Sequence, residues 1–529
     1  MVFREDYSVP RDLRRRDVIV ATKPFPIRSA PGIQRDGTRL AAKTYSDGLW
    51  CRWQRGLPRK MGGYIALTDD LFERVYGLSS FSQAGGVYQH LGGTSRITQV
   101  VSNSGGNFVS TADRTPVGFI PNPNNVWQMD FLATPLTFLD ARVVAHAGQN
   151  LSEIDSEIET DVYVGDVTAN TALITTAMDP VSGGIVVLYP YLLAFSNAGR
   201  VDVSVLEDLT MPPLDTGSVT GSKIVKGLSL RGGGGGPAGL LWSLDSLIRA
   251  TFNAGGAPTD PPFSYDTISD DISVLSSRGI IADMGIYYWV GVDRFFMFNG
   301  VVREIPNNFN VNFFFDNLNF SQRQKVFAYK VPRFGEIWWC FPRGSATECN
   351  HAVIYNWREN FWFDTPLPET GRTDGIFAKV YNKPFMAGVQ PTSVDAFILW
   401  QHETGTDAIN GSSVQPIRSY FETGDITLIN AEQAADKSLR VERVEPDFVQ
   451  AGDMTMTVKG EANVKAPTIN SVTKTFPAGT QSADQQTVTL KDGVRRIMRF
   501  NFESNTSGGN YESGECIGHL EPNDGRITQ

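Results

Sequence analysis

Cys349 and His351 alternate onto one face of an expected strand, and Cys340 lies on the strand before it. Zinc wants three or four thiolate, imidazole or carboxylate ligands at closed spacing. This trio falls short of that, and its members read as core residues. The most unusual local feature is the run Gly232, Gly233, Gly234, Gly235 and Gly236, which leads into Pro237. A phosphate cradle needs backbone N–H groups converging on an anion, with a Lys and a Ser or Thr beside them. No such residues follow. The run reads instead as a loop that tolerates close approach of another chain or of DNA, so its five glycines are candidate contact positions.

Hydrolytic chemistry would need two placed carboxylates, or a nucleophile with a base. Asp and Glu number 57, but none stands in a catalytic phrase, and GxSxG, HExxH and CxxC do not occur. Glycoside cleavage needs only a pair of acids across a groove, and distant residues can supply it. A glycosidase therefore stays open as an alternative, but no residue can be named for it. The reading assigns no catalytic, cofactor-binding or metal-binding residue, and no cofactor. A further candidate contact is the cationic cluster Arg14, Arg15 and Arg16, facing an acidic partner or nucleic acid. Its plain rival is a solvated turn of helix.

The elements that would hold such residues are strands. The stretch from Met284 to Val389 is built of short apolar runs, tight polar turns and second runs rich in aromatics. Asn299-Gly300 is a type I′ hairpin signal, because both central residues of that turn need φ > 0. Asp293-Arg294, Arg358-Glu359-Asn360 and Asn382-Lys383 interrupt apolar runs with the same turn chemistry. Trp50, Trp53, Leu57 and Tyr64 are candidate core anchors. Hairpin units recur at roughly 40–60 residues, the range of propeller blades, and radial repetition keeps so much aromatic strand soluble.

Beyond Ser419, Met454, Met456 and Val458 alternate with Thr455, Thr457 and Lys459. Val488 and Leu490 alternate with Thr487, Thr489 and Lys491, and Met498, Phe500 and Phe502 with Arg499, Asn501 and Glu503. Period-two alternation predicts antiparallel strands with one wet face. The expected fold is all-β: an extended arm over residues 1–45, a β-propeller over 46–415, and a β-sandwich over 416–529. Within the propeller, the acidic stretch Leu151–Thr176 predicts an inserted subdomain near 147–182.

A chain of 529 residues has room for more than one core. Its net charge of −10 argues against a surface that coats nucleic acid, but suits a passage through which DNA slides without sticking. Four cysteines are too few for a disulfide framework and fit a reducing cytoplasm. The N-terminus lacks the apolar core of a signal peptide, and no run of eighteen apolar residues predicts a membrane span.

Several phrases taken together resemble the nozzle, or tail-hub, proteins of short-tailed bacteriophages and related prophages. They are DGLWCRWQRGLPRKMGGY (Asp47–Tyr64), GGIVVLYPYLLAFSNAGRVDVS (Gly183–Ser204), KIVKGLSLRGGGGGPAGLLWSLDSLIRATF (Lys223–Phe252), YYWVGVDRFFMFNGVVREIPN (Tyr287–Asn307), KVPRFGEIWWCFPRG (Lys330–Gly344) and GHLEPNDGR (Gly518–Arg526). The resemblance implies a propeller body with sandwich-like additions and six copies in a ring beneath an adaptor. The ring would retain packaged DNA, conduct it at ejection without reading its sequence, and dock tail fibres or spikes. It would be a virion tail component assembled in the host cytoplasm, without catalysis. A basic lumen would bind phosphate by counterion release and stall the DNA, so an acidic one is expected. The rival readings are a receptor-binding fibre or spike, and a propeller glycosidase of the tail.

Overall fold

Short apolar runs broken by Gly, Asn and Asp can satisfy their backbone groups only by pairing with the next run, so the chain folds hairpin by hairpin. The computed structural model describes residues 23–523 except 69, 72, 84–85, 104–107, 134–140, 149–160, 179, 207–208, 210–213, 231–235, 256–260, 369–370, 391–392, 428–437, 472, 479–487 and 490–494.

Among these residues, six four-stranded antiparallel sheets succeed one another, and a seventh, six-stranded and mixed sheet follows them. Blade 1 comprises Val75–Gln83, Gly86–Gly93, Ile97–Asn103 and Phe108–Asp113. Blade 2 comprises Gln128–Leu132, Arg142–His146, Val162–Asp166 and Ile174–Thr175. Blade 3 runs over Gly184–Leu188, Tyr191–Phe195, Arg200–Val203 and Leu214–Ser218. Blade 4 follows with Ile224–Ser229, Ala238–Ser243, Leu247–Phe252 and Phe263–Ser269. Blade 5 holds Ile280–Asp283, Ile286–Val290, Phe295–Phe298 and Val302–Glu304. Blade 6 holds Phe327–Val331, Glu336–Phe341, His351–Asn356 and Phe361–Pro366.

Blade 7 takes Arg372–Ala378, Lys383–Gln390 and Ser393–His402 from late in the chain. Its fourth strand, Tyr64–Ala66, comes from before blade 1, and Asp407–Asn410 and Ser413–Pro416 extend the sheet further. Innermost strands of neighbouring blades pack on one another except between blades 4 and 5, and that of blade 7 packs on that of blade 1. Blades 4 and 5 join through a shared aromatic core in which Trp242 meets Trp289 edge-on at 5.8 Å. The body is a closed β-propeller.

The ladders divide the chain differently from the boundaries at 45 and 415. Lys23–Ile27, within the expected arm, pairs antiparallel with Cys516–Asn523. Asp47–Leu49 pairs with Ser419–Glu422, and Leu57–Lys60 joins Asn510–Ser513. The C-terminal sandwich is therefore completed by strands from the start of the chain, and the propeller proper begins only at Tyr64. The reason is edge coverage, since an open apolar edge is a liability that a spare strand removes. Residues Val162–Asp166 and Ile174–Thr175 are likewise the outer half of blade 2 and not an insertion, while 151–160 lie outside the described residues.

Other local expectations divide in the same way. Asn360 and Asn382 occupy positive φ as turn residues. The Asn299-Gly300 hairpin forms, but Phe298 pairs with Val302, so its loop has three residues and Gly300 alone takes positive φ, at 108°. A two-residue turn with both φ positive lies instead at Met284-Gly285, between Asp283 and Ile286. Trp50, Trp53 and Tyr64 are buried core anchors, whereas Leu57 is half-buried. Met454, Met456, Val458, Met498, Phe500 and Phe502 face the core as the alternation predicts. The opposite face is drier than expected, because Asn501 and Glu422 are buried beneath Lys459 and Arg499, and Glu461 beneath Arg39 and Arg499. Val488–Thr489 is a two-residue strand, and the rest of that stretch lies outside the described residues.

Tyr64–Ala66 is hydrogen-bonded on both sides, to Ser393–His402 and to Asp407–Asn410. Ile65→Pro removes an N–H from this strand and is expected to lower the thermal transition, at about 1–3 kcal/mol for each ladder group left unpaired. Ile65→Val should cost less than about 1.5 kcal/mol. Thermal melts followed by circular dichroism check both, and equal melting temperatures for the two variants would show that this strand does not hold the ring closed.

Candidate functional site

Arg14, Arg15 and Arg16 lie outside the described residues, as do Gly232, Gly233, Gly234 and Gly235. Gly236 is described. It sits exposed at φ +157° in the turn between the first two strands of blade 4, and a Cβ there would come within 3.0 Å of the Phe252 ring. The glycine loop thus springs from the innermost hairpin of that blade. Cys349 is not in a strand; it precedes His351–Asn356 and its thiol donates to the Lys325 carbonyl at 3.1 Å. Burial pushes that thiol upward, so the thiolate is disfavoured. His351 turns to Asp364 at 2.9 Å. Among the described residues, no three His, Cys, Asp or Glu side chains converge as a metal would require.

Three sets of charged side chains, none of them named by a motif, dominate the interior. The first lies along the propeller axis. Asp130, Lys226, Asp283, Lys330 and Asp374 stand on the innermost strands of blades 2, 4, 5, 6 and 7, with Arg278 just before blade 5. Arg278 pairs with Asp374 at 3.0 Å, and Lys330 with Asp283 at 3.1 Å. Burial pushes the Asp130 carboxyl up, although it accepts from the Val187 N–H at 2.8 Å. Burial also lowers the Lys226 ammonium, while Asp130 and Asp374 pull it back. Blades 2, 4 and 7 are not neighbours, so these charges act across the axis. Among the described residues, the two ion pairs tie blade 5 to blades 6 and 7.

The second set joins the sandwich to the propeller. Arg52 is fully buried, reaching Glu403 at 2.5 Å and Glu336 at 3.0 Å. Its guanidinium also stacks on Phe334 at 3.9 Å. Two of its nitrogens donate to Glu403, and the third, Nε, forms an ion pair with Glu336 in poorer hydrogen-bond geometry. Burial therefore outweighs Arg52 and carries the Glu336 carboxyl up to about 7, although Trp338 donates to it at 3.0 Å.

The third set ties the N-terminal strands down. Arg35 binds Asp364 at 2.9 Å and Asp47 at 2.7 Å. Burial alone would raise Asp364, but Arg35 and His351 hold it down at about 2. Arg39 and Arg499 converge on Glu461 at 2.7 and 2.9 Å, and Arg499 also reaches Glu422 at 2.9 Å. The only sequence signal for any of these residues is a charge set inside an apolar run, as in CRW at Arg52 or GEIWWCF at Glu336. The arrangement pairs carboxylates with cations.

A carboxyl raised in the folded state binds its proton more tightly than the unfolded chain does, so stability falls as pH climbs through the interval. For Glu336 that interval is about 4.5 to 7. Glu336→Gln should gain stability on the parent across this window, by up to about 3 kcal/mol at pH 7.5. Denaturant melts at several pH values read it, and a constant difference would refute the burial argument. Arg52→Met leaves two carboxylates buried without a counter-charge and is expected to cost about 3–5 kcal/mol.

No known protein family matches the chain, and no curated protein matches it. Among solved structures it is similar to BBS1N in complex with ARL6DN, at 9% identity and TM-score 0.39, covering 66% of this chain and 99% of that one. It is also similar to PorZ, a surface component of the type-IX secretion system of Porphyromonas gingivalis, at 8% identity and TM-score 0.36, covering 70% of this chain and 44% of that one. At these values neither likeness says anything about function.

Proposed function

We propose that this chain is a structural virion protein, the nozzle or hub of a short phage tail. Six copies close into a ring that retains packaged DNA, conducts it during ejection, and docks the adaptor and the tail fibres. The resemblance of the quoted phrases is the starting point. The observation that carries the reading further is a patch of exposed apolar side chains on the rim of blades 1 and 2. Val117 is 97% exposed, Ile120 71% and Ile174 65%. They belong together, because the Leu173 N–H bonds the Arg114 carbonyl and Phe119 packs on Tyr163. Isolated exposed apolar residues need no explanation, but a contiguous group at a sheet rim is suited to burial against another protein surface.

A ring needs a heterologous contact repeated on every copy, one patch meeting a different patch. A rim patch on two adjacent blades answers to one half of that contact. Two further features suit a conduit under load. The N-terminal strands are threaded through the C-terminal sandwich, and the body is cross-tied by buried ion pairs. In this reading the DNA passage runs between copies, around the ring's own axis.

Electron microscopy of purified tails, and of the protein at high concentration, tests this. A six-fold ring containing this chain is expected, with acidic side chains facing the hole. Val117→Glu with Ile120→Glu should abolish the ring without moving the melting temperature. A chain that stays monomeric within purified tails, or a hole coated with Lys and Arg, would overturn the proposal.

A further inference from the structure

A cavity of about 290 Å³ opens beside the propeller axis, between loops that link successive blades. One wall is Pro123–Val126, on the passage from blade 1 to blade 2. The other is the 3-10 turn Phe320–Lys325, on the passage from blade 5 to blade 6. Tyr76, at the start of blade 1, stands between them. These loops come from opposite sides of the wheel, so the cavity exists only because the ring is closed.

Its lining has two chemical characters. Asn124, Asn125, Gln322 and Gln324 contribute carboxamide residues, each able to donate and accept. Arg323 and Lys325 contribute cations. Lys325 is engaged, donating to Glu348 at 2.6 Å and to the Thr347 carbonyl at 2.9 Å, while Tyr76 donates to the same carboxylate at 2.9 Å. Arg74 approaches Glu348 at 3.8 Å. Among the described residues Arg323 has no carboxylate partner, and its guanidinium is steadied over the Phe320 ring at 4.7 Å. The charged residues that line the cavity are thus both cations, in a chain whose overall charge is −10. The excess is local and positive, and Arg323 carries the part that no neighbour neutralises.

We infer that this cavity is a binding site for a polyhydroxylated anion of single-sugar size, an acidic or phosphorylated monosaccharide unit. Arg323 would take the anionic group in the two-point geometry that a guanidinium offers carboxylate and phosphate. The carboxamides would meet hydroxyls, which also donate and accept. The volume lies at the lower end of small-molecule sites, enough for one ring and not for an extended chain. An inorganic anion would leave the carboxamide side of the cavity unused. The inference stands whether or not the copies form a ring.

The test is calorimetric or saturation-transfer titration of the full chain with glucuronate, N-acetylneuraminate and glucose 6-phosphate, beside glucose and inorganic phosphate. At least one sugar anion is expected to bind with Kd below about 1 mM, and glucose at least about tenfold more weakly. The carboxylate and phosphate arms tell which anion is preferred. Arg323→Ala should weaken binding about tenfold or more, with Arg323→Lys in between, and both variants should melt with the parent. No saturable binding of any sugar anion overturns the inference. So does inorganic phosphate binding as tightly as the sugars, or an Arg323→Ala variant with unchanged affinity.

Discussion

Seven twisted sheets can share one axis only if the last is tied to the first, and the chain makes that tie by lending blade 7 a strand from before blade 1. Tyr64–Ala66 lies between Ser393–His402 and Asp407–Asn410, so contacts separated by more than 300 residues in sequence close the wheel. Innermost strands can then pack around the axis, and loops from distant blades become neighbours. The ladder groups of these few residues carry little energy singly. Their weight is topological, because every interblade core needs a blade on each side.

Closure brings a second constraint. Strands that converge on an axis, or that are sealed under a second module, have no water for any charge they carry. The chain answers by pairing. Arg278 with Asp374 and Lys330 with Asp283 balance the axis, and Arg52 with Glu403 and Glu336 seals the seam between propeller and sandwich. Such pairs stabilise little against an apolar substitute, but each becomes costly when one member is removed. They make the relative placement of the two modules specific, since each half of a pair arrives on a different module or blade. Glu336 is where the matching is incomplete: Arg52 spends its two-nitrogen fork on Glu403, and burial outweighs the remaining contact and carries the Glu336 carboxyl up to about 7, so that it is about half ionised at pH 7.

Two surface features stand apart from these interior pairs. The rim of blades 1 and 2, with Val117, Ile120 and Ile174 exposed, is suited to contact with a neighbour. The cavity between Pro123–Val126 and Phe320–Lys325 is chemically separate, being polar and locally cationic.

Period and turn chemistry are local, and they were readable in the chain as written. Alternation of Met454, Met456 and Val458 with Thr455, Thr457 and Lys459 follows from the two-residue repeat of a strand, and Asn360 and Asn382 mark turns because their side chains tolerate positive φ. Aromatic hairpins at blade spacing were enough for an all-β propeller with a sandwich behind it. The partners of each strand were not readable. Nothing near Lys23–Ile27 signals that Cys516–Asn523 will cover it, and nothing near Arg52 names Glu336 or Glu403. Strand pairing and charge pairing across hundreds of residues are decided by which edges and which buried ions remain unsatisfied once the local hairpins have formed. That is a property of the closed wheel, and no stretch of sequence carries it alone.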